Sequence, residues 1–140
     1  MPNHCCNFLI MSENTLPIIL QNYVKRAGPL DKIFDFERIE PIGNVPDCYE
    51  QRFKKWGTKS VGYNLCIGIT MLEFYTAWFP PIPIIKKLAM LHKDMTFRLE
   101  YHQSRYAFRG IATAKWVNGE VLFNNQCWDM SEKDFRELEL

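Results

Sequence analysis

The chain has almost no net charge. Seventeen Lys and Arg residues oppose sixteen Asp and Glu, for a formal charge of +1. That balance argues against bulk phosphate binding, although it leaves room for a local basic patch. Histidine is scarce, with His4, His92 and His102 far apart in sequence. The five cysteines (Cys5, Cys6, Cys48, Cys66 and Cys127) contain no C-x-x-C pair. The usual spacing of zinc and redox sites is therefore missing. An odd, scattered set reads as reduced, mostly buried thiols of a cytoplasmic protein. No glycine-rich phosphate loop is present. No run reaches the roughly 18 apolar residues that a membrane span needs. The first residues lack the basic region of a signal peptide, and Asn, Ser and Glu interrupt the apolar stretch by residue 14.

What is present is apolar and aromatic. The 140 residues are 47% hydrophobic and 14% aromatic, enough to build one domain over residues 1–140 with a real core. Residues 4–11 read as a first strand, on which Cys5 and Cys6 face opposite sides. Ser12-Glu13-Asn14-Thr15 offers helix-capping side chains. Leu16, Ile19, Leu20, Tyr23 and Val24 recur at helical spacing and predict a helix that stops at Ala27-Gly28-Pro29. Residues 31–40 predict a second strand with Phe34, Phe36 and Arg38 on one side.

Residues 41–66 read as an insertion. Pro41, Gly43 and Pro46 mark a loop, Asp47 opens a short helix that ends at Trp56-Gly57, and residues 59–64 are irregular. A long strand over 67–77 then meets a proline cluster. Proline suits the first turn of a helix, so residues 81–92 predict a helix with Ile84, Ile85, Leu88 and Leu91 inward. Over 96–102, Phe97, Leu99 and Tyr101 alternate with Thr96, Arg98, Glu100 and His102. Asn118-Gly119 joins 105–117 to 120–124 as a hairpin, because both turn positions favour positive φ. Ser131-Glu132-Lys133-Asp134 opens a short terminal helix with a capping-box pattern. The order β-α-β-insert-β-α-β, with an extension over 118–140, predicts an α+β chain. It is the ferredoxin-like split βαβ arrangement, an antiparallel sheet with helices on one face. The other face is solvated, covered by the insertion or used for a partner.

Four segments carry a family resemblance. Pro2, Asn3, Cys5 and Asn7 open the chain. Trp56, Gly57 and Lys59 form a middle motif. Thr76, Ala77, Trp78, Pro80 and Pro81 form a strand-to-helix motif, and Tyr101 through Phe108 and Gly110 form the last. Over about residues 1–123 the chain resembles the YubB-like family, small proteins of phages and plasmids with a ferredoxin-like domain. His4 stands where that family usually has a tryptophan. Gln103-Ser104-Arg105 replaces an acidic-Gly turn. The resemblance implies the fold and a mobile-element setting, and it brings no settled activity.

Two surfaces qualify as partner-binding. The first is Arg52, Lys54, Lys55, Trp56 and Lys59, a basic-aromatic cluster. It suits an acidic protein partner or single-stranded nucleic acid. Equally, Trp56 plugs the core while the lysines stay wet. The second is Arg98, His102, Arg105 and Arg109 with Tyr106 and Phe108, on the open sheet face, similar in kind to the sheets that stack RNA bases. Trp78 and Trp116 read as core. A Cys/His nucleophile pair such as Cys5 or Cys6 with His102 is arithmetically possible, without a local signature behind it. Adjacent His4, Cys5 and Cys6 fit tetrahedral zinc poorly, and a Pro2 amine freed of Met1 would be a base. Glu37 with Glu40, and Glu137 with Glu139, read as solvated faces. No cofactor or metal is expected. The expected function is a non-catalytic phage- or plasmid-borne accessory protein that binds a host or defence-system protein, as an anti-CRISPR-like or other anti-defence inhibitor. A single-stranded nucleic-acid-binding module is the alternative, and a small enzyme the third. A free strand edge offers a route to a homodimer.

Overall fold

Alternating burial defines the central strands of the computed structural model, which describes residues 4–103 and 108–129. In β1 (His4–Ile10), Cys5, Asn7 and Leu9 are buried. In β5 (Met71–Ala77) it is Leu72, Phe74 and Thr76, and in β6 (Thr96–Gln103) it is Phe97, Leu99, Tyr101 and Gln103. The helices α1 (Leu16–Tyr23), α2 (Cys48–Trp56) and α3 (Ile82–Leu91) complete that inner layer with β4 (Tyr63–Ile67), β7 (Phe108–Val117) and β8 (Glu120–Asp129). The strands lie in the order β4-β5-β1-β6-β7-β8, every neighbour antiparallel. β1 sits between β5 and β6, and β5 between β1 and β4. This is the ferredoxin-like order, extended by the β7–β8 hairpin. Asn118 (φ 51°) and Gly119 (φ 86°) make the hairpin turn, as the Asn-Gly pair predicts.

The first half of the chain departs from expectation. The first helix ends at Tyr23, because the Val24 backbone is already extended. Val24–Arg26 (β2) then pairs with Lys32–Phe34 (β3) in a separate two-stranded ribbon. Gly28-Pro29 turns this ribbon instead of stopping a helix. The strand expected over 31–40 is cut short at Asp35, whose carboxylate accepts the Glu37 amide at 3.2 Å and pairs with Lys25 and Arg38. A 3-10 turn over Phe36–Arg38 follows and buries Phe36 beside Phe34, while Arg38 stays exposed. The second strand of the main sheet is therefore β4, drawn from the segment expected to be partly irregular. The expected single strand over 67–77 breaks at residues 68–70, where Gly68 N–H donates to the Met71 carbonyl at 2.8 Å. The insertion lies between α1 and β4, not between the second and third sheet strands.

Rings tie that insertion to the sheet. Phe34 meets Phe36 and Phe74 edge-on at 5.3 and 5.2 Å, and Phe36 meets Trp56 at 5.7 Å. Such pairs contribute about 0.5–1.5 kcal/mol each beyond the area they bury. In α3, Ile84, Ile85 and Leu88 are buried as expected. Ala89 continues the stripe, whereas Leu91 is 49% exposed. Trp78 and Trp116, expected in the core, are only half-buried. No helix among the described residues is long and apolar enough to cross a membrane. The terminal helix expected from Ser131 lies outside the described residues.

Gly110 of β7 makes the closest approach in the sheet. A Cβ there would stand 2.7 Å from the Gln126 carbonyl oxygen and inside the Tyr101 phenol. Gly110→Ala is expected to destabilise by about 1–3 kcal/mol through overpacking. Urea denaturation measures it, and an unchanged midpoint would contradict the packing described.

Candidate functional site

The end of β5 turns on a strained residue. Trp78 has φ 69°, a region that bulky side chains rarely enter. The Phe79 amide donates to the Ala77 carbonyl at 2.8 Å. This closes a three-residue turn in its rare, positive-φ form. Such a conformation costs on the order of 1–3 kcal/mol and persists only where its surroundings over-determine it.

Here they do. Thr76 Oγ1 donates to the Phe79 carbonyl at 2.7 Å, and Thr58 Oγ1 to the Ala77 carbonyl at 2.8 Å. The Ala77 amide donates to Ser60 Oγ at 2.9 Å. Beneath them, Asn7 Nδ2 donates to Thr76 Oγ1 at 2.9 Å and to the Cys5 carbonyl at 3.1 Å. Asn7, Thr58 and Thr76 are fully buried, so each polar atom needs its partner. Gly57 caps α2 at φ 81°. A Cβ there would come within 2.7 Å of Pro83 Cδ, so glycine lets the end of α2 reach the start of α3. Three of the four motif segments, at Cys5–Asn7, Trp56–Lys59 and Thr76–Pro81, thus meet at one corner.

Beside the corner lies a groove of about 520 Å³, lined by Glu50, Phe53, Lys59, Ala77, Trp78 and Phe79. Its volume is that of a ligand site. Phe53 and Phe79 meet edge-on at 5.7 Å and remain 47% and 40% exposed.

The predicted basic-aromatic residues divide around this groove. Trp56 takes the core alternative: it is 1% exposed, and its indole donates to the Glu40 carbonyl at 2.8 Å. Arg52 is held by the fold, its guanidinium 5.5 Å from the Tyr49 ring and 5.4 Å from the Trp56 ring. It also donates to the Lys59 carbonyl at 3.3 Å. Lys54 and Lys55 are exposed. Helical spacing puts Lys54 on the Glu50 side of α2 and Lys55 around from Phe53. Lys59 is exposed and lines the groove. Glu50, Trp78 and Phe79 escape the sequence reading. Strand alternation from Thr76 assigns Trp78 to the core, and only the reversal of its backbone changes that.

The second predicted surface forms only in part on the uncovered face of β6 and β7: Phe108, expected there, lies opposite buried Gln103 in the register and packs on Tyr101 at 6.2 Å, on the core face. Arg98 pairs with Glu100 at 3.6 Å. The His102 ring lies over Phe8 at 6.2 Å, and the Arg109 guanidinium over Trp128 at 5.0 Å. Phe8, Glu100, His102, Arg109 and Trp128 help line a hollow of about 300 Å³. Arg105, Tyr106 and Pro2 lie outside the described residues. The two predicted groups do not share a cavity. His4 stacks on Tyr75 at 5.1 Å and meets the Tyr63 hydroxyl.

The register brings Cys6 directly opposite His102, the pairing considered for a nucleophile. Burial, and then the Glu73 carboxylate, push the Cys6 thiol up to about 12. Burial raises Cys5 as well. Both therefore stay protonated at neutral pH, and a thiol is a poor nucleophile. Among the described residues no group of three His, Cys, Asp or Glu is placed to hold a metal. Glu37 is not simply solvated, since it accepts the Ile42 and Gly43 amides at 2.7 and 2.6 Å. Glu40 pairs with Lys87 at 3.3 Å. Glu137 and Glu139 lie outside the described residues.

Residues 55–139 match the family described as the ferredoxin-like domain in Api92-like protein. The chain belongs to that family. The matched segment holds β4 to β8, α3 and the Trp78 corner. β1 precedes it, yet occupies the middle of the sheet. Comparison with curated proteins and with solved structures finds no match.

Thr76→Val is expected to cost about 1–3 kcal/mol, because it leaves the Phe79 carbonyl without the Thr76 hydroxyl and takes one of the acceptors from the Asn7 amide. Thr76→Ser keeps both bonds and should cost less. Equal losses in denaturation would contradict the clamp. Alkylation by iodoacetamide at pH 8 should label exposed Cys66 and Cys127 before Cys5 and Cys6. Because the folded state holds the Cys6 proton more tightly than the unfolded state, stability should fall as pH rises from 9.0 towards about 12. Early labelling of Cys6 would contradict the assignment.

Proposed function

We propose that the protein is a non-catalytic binding protein that captures another protein at the corner groove. The observation that carries this reading is the pair of half-exposed phenylalanines, Phe53 and Phe79, beside a strained turn that buried hydrogen bonds hold in place. Exposed rings on a rigid support contribute little to folding, whereas aromatic anchors buried in an interface supply much of its binding energy. Lys59 and Glu50 put one charge of each sign in the lining. The resemblance to YubB-like proteins supports a phage or plasmid setting. It also supports a host or defence-system protein as the target, with an anti-CRISPR-like or other inhibitory outcome inside the cytoplasm.

A nucleic-acid reading draws on the uncovered sheet face. His102 over Phe8 and Arg109 over Trp128 are rings and cations of the kind that stack single-stranded bases. Glu73 and Glu100 on the same face oppose it, as does the pairing of Arg98 to Glu100. The tagged full chain, used to capture partners from host lysate with and without nuclease, separates the two readings. The expected outcome is one stoichiometric protein that survives nuclease and is lost with Phe79→Ser or with Lys54→Glu plus Lys59→Glu. Recovery of nucleic acid alone, with affinity that falls steeply with salt, would overturn the protein-binding reading.

A further inference from the structure

We propose that β8 pairs with β8 of a second copy of this chain, antiparallel and in one register, with Leu122 of each protomer opposite the partner's Trp128. The two edges of the main sheet differ in kind. A free edge offers unpaired N–H and C=O groups, and natural sheets blunt it with bulges, prolines, lysines or a covering segment. The β4 edge is blunted in this way. It is bulged between Tyr63 and Cys66, and Gly62 beside it exchanges hydrogen bonds with Phe34 of the insertion at 2.8 and 3.1 Å. Among the described residues β8 carries none of these devices. It contains neither proline nor lysine, and its only charges are Glu120 and Asp129 at its two ends. It runs against β7 from Glu120 to Asp129 without a bulge. No described strand lies on its other side.

The hairpin dictates which backbone groups face outward. Across its two-residue turn, Val117 and Glu120 are the pair that exchanges both hydrogen bonds. The register then continues unbroken, so the even-numbered residues from Glu120 to Trp128 bond to β7. Val121, Phe123, Asn125, Cys127 and Asp129 turn their N–H and C=O groups to the free edge. Outward residues bond only to outward residues, so a two-fold axis near the middle of β8 falls at Asn124 or at Asn125. An axis at Asn124 sets Trp128 against the partner's Glu120, and Leu122 against the partner's Gln126. An axis at Asn125 sets Leu122 against the partner's Trp128, Asn124 against the partner's Gln126, and Phe123 against the partner's Cys127. It opposes no like charges. Leu122 and Trp128 are the large apolar side chains that β8 leaves exposed, and strand alternation puts both on the uncovered face of the sheet. This register covers each with the other, twice by symmetry. They fall in a non-hydrogen-bonded pair, where cross-strand side chains stand closest. β1, β6 and β7 separate β8 from β5, so the pairing does not depend on the corner groove or on the protein-binding reading above.

Sedimentation equilibrium of the full chain under reducing conditions tests the pairing, and the expected result is the mass of two chains. Leu122→Glu faces Lys115 on β7, which suits the folded monomer, and should weaken association by about tenfold or more with an unchanged circular dichroism spectrum. Cross-linking tests the register. With Cys66→Ser and Cys127→Ser in every chain, Asn124→Cys chains mixed with Gln126→Cys chains should form a disulfide-linked pair on mild oxidation, whereas either variant alone should not. A natural chain still monomeric at about 100 µM, where micromolar pairing is nearly complete, overturns the proposal. So does a dimer that Leu122→Glu leaves equally tight. A dimer in which the mixed chains fail to link, or in which Asn124→Cys links to itself, overturns the register.

Discussion

The bond from Asn7 to Thr76 is the constraint on which the rest of the site depends. Asn7 is fully buried in the central strand, so its amide must find acceptors inside the protein. It finds the Thr76 hydroxyl, which in turn donates to the Phe79 carbonyl. That relay holds the two ends of a turn whose middle residue, Trp78, sits in a region its side chain disfavours. Thr58 and Ser60, delivered by the loop after α2, fix Ala77 between them. Without these partners the chain has no reason to reverse at Trp78, and proline-led α3 would start in a different direction.

The same corner explains the long insertion. The segment between α1 and β4 buries Phe34, Phe36 and Trp56 against Phe74. That packing brings the end of α2 against the start of α3, where Gly57 faces Pro83. The insertion therefore does two things: it extends the core, and it supplies Thr58 and Ser60 to the corner and Phe53 and Lys59 to the groove. The groove exists because two elements distant in sequence are packed onto one strand end.

Much of the fold is legible in the residues, and the exceptions have physical causes. The alternation in β6, the Asn-Gly hairpin and the Ile84, Ile85 and Leu88 stripe of α3 are local patterns, and each appears where its period predicts. Residues 31–40 also alternate, but Asp35 draws Lys25 and Arg38 to itself and bends the chain into the core, so period alone assigns the wrong strand to the sheet. β4 escapes notice because a bulge between Tyr63 and Cys66 breaks its register. Of the site, Lys59 and the exposed lysines of α2 are visible from charge. Sequence leaves Trp56 open between core and surface and reads Arg52 as a surface group, and the ring cluster shows that both belong to the fold. Trp78 and Phe79 are hidden most deeply. Their exposure follows from a backbone reversal that depends on a side chain seventy-odd positions away, at Asn7.

The account stands on a corner that is rigid before any partner arrives. Backbone ¹⁵N relaxation of the free protein measures this most directly. Order parameters of about 0.85 at Ala77, Trp78 and Phe79, equal to those of β1 and β5, are what a clamped turn predicts. Values below about 0.6 at these three residues, beside rigid strands, would show a loose corner and contradict the account.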